Sequence, residues 1–442
     1  MATEITTPVA VREPSLPEVY STVQISTSPF YWKRLLGFVG PGFLIAVGYM
    51  DPGNWATDIA GGSRFGYTLL FVIMASNLMA ILLQSLSLKL GVATDRDLAQ
   101  LCRESTRPWT SWMLWIMAEV AIAACDMAEV IGSAIALKLL FHIPLFYGVV
   151  ITSLDVLLIL LLQRWGFRYV EAVVIALIGT ILALFAVQMV LSRPDYFPAL
   201  GSLFIPSPAI VTDRSMLFIA IGMLGATVMP HNLYLHSSIV QSRRYKRTPA
   251  GKREAIRMAN IDSALALTVA LFVNAAILIV AAAVFHRSGH LEVAAIEDAY
   301  KLLSPLVGAA GASTLFAIAL LASGQNSSIT GTLAGQVVME GFVHLKVAPW
   351  LRRLITRCIA IIPTIIVVAF RGEHGTETLL LLSQVILSLQ LSFAVIPLVM
   401  FTGDKRKMGE FVNAPWLKAL AWATAVLIAG LNGWFLVLTL KP

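Results

Sequence analysis

Two places in this sequence put polar residues and a proline inside an otherwise apolar run. The first reads Gly48-Tyr49-Met50-Asp51-Pro52-Gly53-Asn54, the second Ala226-Thr227-Val228-Met229-Pro230-His231-Asn232. Proline has no N–H, so the carbonyl four residues earlier loses its helical partner. Those carbonyls belong to Gly48 and Ala226. Each would end a half-helix, where the dipole favours cations. Asp51 adds a carboxylate, Asn54 an amide oxygen and Met229 a thioether, making a mixed oxygen–sulfur set of five candidate ligands. Calcium and magnesium take oxygen. A thioether is soft and brings nothing to those ions, so Met229 points to a transition metal. A single carboxylate leaves a dication short of neutralisation, as suits a site that must release its ion.

Each residue has a plainer role open to it. Asp51 could cap the half-helix after Pro52, Asn54 could satisfy freed backbone groups, and Met229 could fill core space. The pairing carries the metal reading. Laid on one another, the segments match Pro52 with Pro230, Asn54 with Asn232 and Asp51 with Met229. Five spans separate them, so the second copy runs the opposite way through the bilayer. Inverted repeats of this kind bring broken helices together near the midplane, where unwound backbone is tolerated if it lines a cavity.

The elements that must hold these breaks are membrane helices. The chain has 442 residues, 58% hydrophobic and 13% charged, with mean hydropathy +0.80. Soluble domains carry about twice that charged fraction. A helix needs about 20 apolar residues to cross the hydrocarbon. On that rule an all-α polytopic fold with about eleven spans is expected, at 37–60, 66–91, 111–139, 145–163, 168–191, 216–241, 261–285, 304–341, 352–370, 376–401 and 416–439. The eighth is too long for a plain span, and its last part is expected to protrude or bend. Repeat one then covers about 37–191, repeat two about 216–401, and the helix at about 416–439 is extra.

Net charge is +7, but the basic residues lie between apolar runs. They fit headgroups and orientation better than nucleic acid. With the N-terminus inside, about 24 basic residues fall on the inner side and about 8 outside. Arg243, Arg244, Lys246, Arg247, Lys252, Arg253 and Arg257 decide it, and eleven spans put the C-terminus outside. Residues 1–33 read as a mobile cytoplasmic tail without the charged start and compact apolar run of a signal peptide. One transporter-type membrane domain, 34–442, follows. Cys102, Cys125 and Cys358 have no zinc or C-x-x-C spacing and are expected as free thiols.

The third span holds Glu119, Asp126 and Glu129. Spacings of seven and three put them on one face, and three acids are too costly to point at lipid. His231, His236, Arg352 and Arg353 are the natural partners. An inert ion-pair network between helices is the alternative reading. Metal arrival at Asp51 would favour its ionised form and release a proton, and His231, two residues beyond Met229, is placed to sense that charge.

At these residues the chain resembles the Nramp family of proton-coupled divalent-metal transporters. The match takes in Asp51-Pro52-Gly53-Asn54 and Met229-Pro230-His231-Asn232. It continues in Ser323-Gly324-Gln325-Asn326-Ser327-Ser328 through Gly335-Gln336, and in Met339-Glu340-Gly341-Phe342. It runs from about residue 34 to the end. The resemblance implies a leucine-transporter-like fold, with manganese and iron(II) carried and cadmium, cobalt or zinc often accepted. It implies metal ligation by Asp51, Asn54, Ala226 and Met229, a further ligand in Gln384, and a proton route along the third-span acids. Gly48 stands where the family pattern has alanine. No resident cofactor is expected, and a monomer in a bacterial plasma membrane is. An organic-solute symporter on the same fold is the rival reading, but Asp51 would repel a substrate carboxylate. A membrane enzyme is a further alternative, but no H-E-x-x-H, nucleophile elbow or phosphate loop is present.

Overall fold

The computed structural model describes residues 14–26, 28–152, 154, 165–343, 351, 355, 358–359, 361–366 and 374–440. The described chain is almost wholly helical. Its first half contains α1 (Tyr31–Phe38), α2 (Pro41–Gly48), α3 (Pro52–Phe65), α4 (Leu70–Thr94), α5 (Leu98–Ser105), α6 (Pro108–Phe141), α7 (Leu145–Thr152) and α8 (Phe167–Ser192). After the short α9 (Tyr196–Phe204) and α10 (Ala209–Thr212) come α11 (Arg214–Thr227), α12 (Pro230–Ile239) and α13 (Pro249–Ala281). The rest is α14 (Ile296–Val307), α15 (Ala312–Val343), α16 (His374–Thr402), α17 (Lys405–Met408) and α18 (Pro415–Leu440).

Among the described residues, seven helices are long and apolar enough to cross a membrane. The first expected span is absent from them because it is two pieces of 8 and 14 residues, α2 and α3. The sixth, counted among the seven as Arg214–Ser242, is nonetheless broken between α11 and α12. The helix α15 is long enough, but its polar run from Ser323 to Thr330 lowers its hydropathy and is almost wholly buried inside the protein. Much of the fourth and ninth spans lies outside the described residues.

Both halves of the first broken helix start at a capped proline. Asp51 Oδ1 accepts from the Asn54 N–H at 2.8 Å, with Pro52 in the first helical position of α3. That position needs no N–H donor, which is why proline fits there. At the start of α2 the Gly40 and Gly42 N–H groups donate to Asp262 on α13, at 3.2 and 2.7 Å. Below them Arg243 is fully buried, 2.6 Å from Glu171 on α8, and also donates to the Val39 carbonyl at 2.8 Å. These contacts fix the start of α2 to α8 and α13.

Two expectations are corrected. The eighth stretch divides at its start, and its last part does not bend. Ser304 belongs to α14, the chain breaks near Gly308, and α15 runs unbroken from Ala312 to Val343. The first 33 residues are also not uniformly a loose tail. Leu16, Val19 and Val23 are buried, and Val23–Gln24 pairs in parallel with Arg243–Arg244. Ser15 Oγ donates to Asp97 Oδ2 at 2.5 Å, and Gln336 Nε2 on α15 donates to Glu18 Oε1 at 2.7 Å. Arg247 stacks on the rings of Tyr20 and Tyr245, 5.2 and 4.3 Å from their centroids. Residues 14–26 thus form a strap across the ends of α5, α12 and α15.

Candidate metal and proton site

The two breaks meet. A Cβ placed on Gly48 would lie 2.3 Å from Asn232 Nδ2 and 3.1 Å from Met229 Sδ. One placed on Gly53 would lie 1.8 Å from Gln384 Nε2. So Gln384, brought in by α16, presses its amide on the first break, while Met229 and Asn232 press on it from the second. Asp51, Met229, Asn232, Ala226 and Gln384 are fully buried, and Asn54 and His231 nearly so.

Much of the unwound backbone is already used. Asn274 Nδ2 on α13 donates to the Tyr49 carbonyl at 2.7 Å. The Met50 carbonyl accepts from Trp55 Nε1 at 3.2 Å and from Ser323 Oγ. Other polar atoms are left over: Asn54 Oδ1, Asn232 Oδ1, Gln384 Oε1 and His231 Nδ1 have no hydrogen-bond partner among the described residues. Buried polar atoms are normally satisfied, so these oxygens suit a cation. Among the described residues no group of three His, Cys, Asp or Glu is close enough to hold an ion. An ion here must rely on one carboxylate with amide, carbonyl and thioether donors, as the sequence reading requires. Asp51 does cap α3, but that engages Oδ1, and Oδ2 points elsewhere.

Oδ2 of Asp51 lies 3.9 Å from Cys125 Sγ, and the same sulfur lies 3.7 Å from Glu129 Oε1. Cys125 therefore stands between the first break and the acids of α6. It also packs in one buried cluster with Ala124, Met229 and Leu387. The sequence reading passed over it as a free thiol, which it is. Its position one residue before Asp126 and four before Glu129 was the available signal.

Of the three α6 acids, two converge. A Cβ on Gly331 of α15 would be 3.0 Å from both Asp126 Oδ1 and Glu129 Oε1. Glu119 is apart from them, half-buried, and accepts from Trp115 Nε1 at 3.0 Å on its own helix. His236 Nδ1 lies 2.9 Å from Gln84 Oε1, and Gln84 Nε2 donates to the Tyr49 hydroxyl at 2.8 Å. This polar chain from α12 to the first break through α4 had no periodic signature in the sequence. Arg352 and Arg353 lie outside the described residues.

Residues 42–438 match the family described as natural resistance-associated macrophage protein-like, Nramp. The chain belongs to the Nramp family. It is 60% identical over 429 residues to the divalent metal cation transporter MntH of Nostoc sp., covering 97% of each chain. With MntH of Bradyrhizobium diazoefficiens it shares 61% over 418 residues, 95% of this chain and 93% of the relative. Among solved structures, the Eremococcus coleocola manganese transporter matches with TM-score 0.88 and 45% identity, over 95% of this chain and 90% of that one. Mhp1, of the nucleobase-cation-symport-1 family, matches at TM-score 0.61 and 14% identity over 90% and 91%, a likeness of fold alone. This Nramp chain thus has the leucine-transporter-like fold with broken first and sixth helices.

Proposed function

We propose that this protein imports divalent transition-metal ions, manganese and iron(II) foremost, together with protons, by alternating access across a bacterial plasma membrane. The meeting of the two breaks carries the reading: Gly48 faces Met229 and Asn232, Cys125 touches Asp51 and packs with Met229, and the buried side-chain oxygens of Asn54 and Asn232 have no partner among the described residues. Relatives named as divalent metal cation transporters and a manganese transporter of the same fold support it. The metal is cargo, held by Asp51, Asn54, Met229, the Gly48 and Ala226 carbonyls and, in one state, Gln384. Softness at Met229 selects transition metals.

Protons leave by a separate path. Asp51 loses its proton when a dication arrives. Cys125, between Asp51 and Glu129, marks the direction of the route, and Asp126 continues it inward. His231, His236, Glu119, Arg352 and Arg353 complete the proposed charged network. A monomer suffices, because both breaks come from one chain. The N-terminus is cytoplasmic and the C-terminus external.

The test is uptake in proteoliposomes with a pH-sensitive dye inside. Wild type should carry manganese and acidify the lumen. Asp51→Asn keeps shape but removes the charge, and manganese uptake should fall about a hundredfold or more, a loss of roughly 3 kcal/mol. Wild-type manganese uptake and proton flux in Asp51→Asn would sink the assignment.

A further inference from the structure

Asp58 is a buried carboxylate that the chemistry above does not use. It is 2% exposed, and its Oδ2 has no hydrogen-bond partner among the described residues. An ionised carboxylate so placed is costly without a cation. Asp58 lies seven residues after Asp51, hence two turns along the same face of α3 and about 10 Å further from the break. Asn54 stands between them, three residues past one and four before the other, and its Oδ1 is likewise buried without a partner. The helix α3 is enclosed by α6, α11, α13 and α16, so this row of oxygens, Asp51, Asn54 and Asp58, runs inside the protein.

We propose that Asp58, with Asn54, holds a divalent cation on the outer side of the break before the ion passes to Asp51 and Met229. This rests on the import reading above, in which α3 is the outer half of the first span. The donors are oxygens only, so the position accepts manganese, iron(II), calcium and magnesium with part of their water retained. Discrimination then falls to the thioether one step further in. Two dications this close in a low-dielectric interior repel strongly, so the positions fill in turn. Asn54 serves both, and its amide oxygen hands the ion inward.

Two measurements test this. In manganese uptake by proteoliposomes, Asp58→Asn should raise KM about tenfold while the maximal rate stays within about twofold, the pattern of lost binding before the transport step. An unchanged KM overturns the proposal. Should Asp58→Asn fail to fold, crystals of Asp51→Asn soaked in manganese decide the matter. An anomalous peak beside Asp58 is expected, and no peak there overturns the proposal. Wild-type protein that carries no manganese would overturn the import reading itself, whereas normal wild-type uptake with an unaltered Asp58→Asn overturns this inference alone.

Discussion

The Asn232 side-chain amide fills the place where Gly48 has no side chain. A Cβ at Gly48 would come within 2.3 Å of Asn232 Nδ2, far inside contact distance. The missing side chain at Gly48 is therefore matched by a close packing of the two breaks. Gly48→Ala should force Asn232 aside and destabilise the protein by about 1–3 kcal/mol, the usual cost of overpacking. Thermal unfolding in detergent reads this as a lowered Tm, with reduced manganese uptake. Adding Asn232→Ala should recover part of both. An unchanged Tm and uptake in Gly48→Ala would mean that the amide swings away freely.

Asp126 and Glu129 converge at Gly331, and Cys125 links Glu129 to Asp51. Asp126→Asn and Glu129→Gln should therefore leave manganese affinity within about threefold, less than 1 kcal/mol. Proton flux should drop by about tenfold or more in each. Titration calorimetry with manganese and a pH-sensitive dye give the two readings. Metal binding lost in step with proton flux would place these acids in the metal site.

The breaks were legible because a proline beside Asp51 or Met229 is conspicuous in apolar surroundings. Helical spacing then grouped the α6 acids, but periodicity gives an angle and not a depth. Glu119 shares the angle of Asp126 and Glu129 yet is only half-buried and bonds to Trp115. The strap was not legible at all. Its composition of Ser, Thr, Pro and Val looks mobile, and its order comes from distant partners: Asp97, Gln336 and the Arg243–Arg244 bridge. Gln84 was hidden likewise, since nothing local in α4 announces its bonds to His236 and Tyr49.

The strap gives a pH dependence. Asp97 lies between α4 and α6, outside the membrane helices, and burial pushes its carboxyl from 3.8 up to about 6, against the opposing bonds from Ser15 and the Gln100 N–H. A folded-state value above the unfolded one means extra protons bound by the native protein. The associated stability is fully present below the ordinary value near 3.8 and is lost as pH rises through about 6. Its full size is on the order of 2–3 kcal/mol. Comparing wild type with Asp97→Asn isolates it from other titrating groups. The Tm of wild type relative to Asp97→Asn should fall between pH 4 and pH 7, roughly the window of this shift. Parallel Tm curves over that range would show that Asp97 does not titrate in it.

Met229 should select against calcium and magnesium more than it provides affinity for manganese. Its sulfur is buried beside Cys125 and close to Gly48, so any ion at the break meets it. Hard ions give up water reluctantly when a thioether is the replacement. Manganese is intermediate and accepts the exchange at small cost, and cadmium, softer, gains most. Met229→Ala leaves room for water in place of sulfur, and the donor set becomes all oxygen. Manganese transport should persist, modestly weakened, while cadmium transport drops and calcium begins to compete. A tenfold loss of discrimination corresponds to only about 1.4 kcal/mol, plausible for one ligand. The truncation also removes core volume, which costs about 2–5 kcal/mol of stability, so the ratio of ions carried matters more than any single rate. The measurement is manganese and cadmium uptake by wild type and Met229→Ala in proteoliposomes, with and without excess calcium. If calcium stays inert against the variant and the cadmium-to-manganese ratio is unchanged, Met229 acts only as packing in the cluster with Ala124, Cys125 and Leu387, and metal selectivity must come from the oxygens alone.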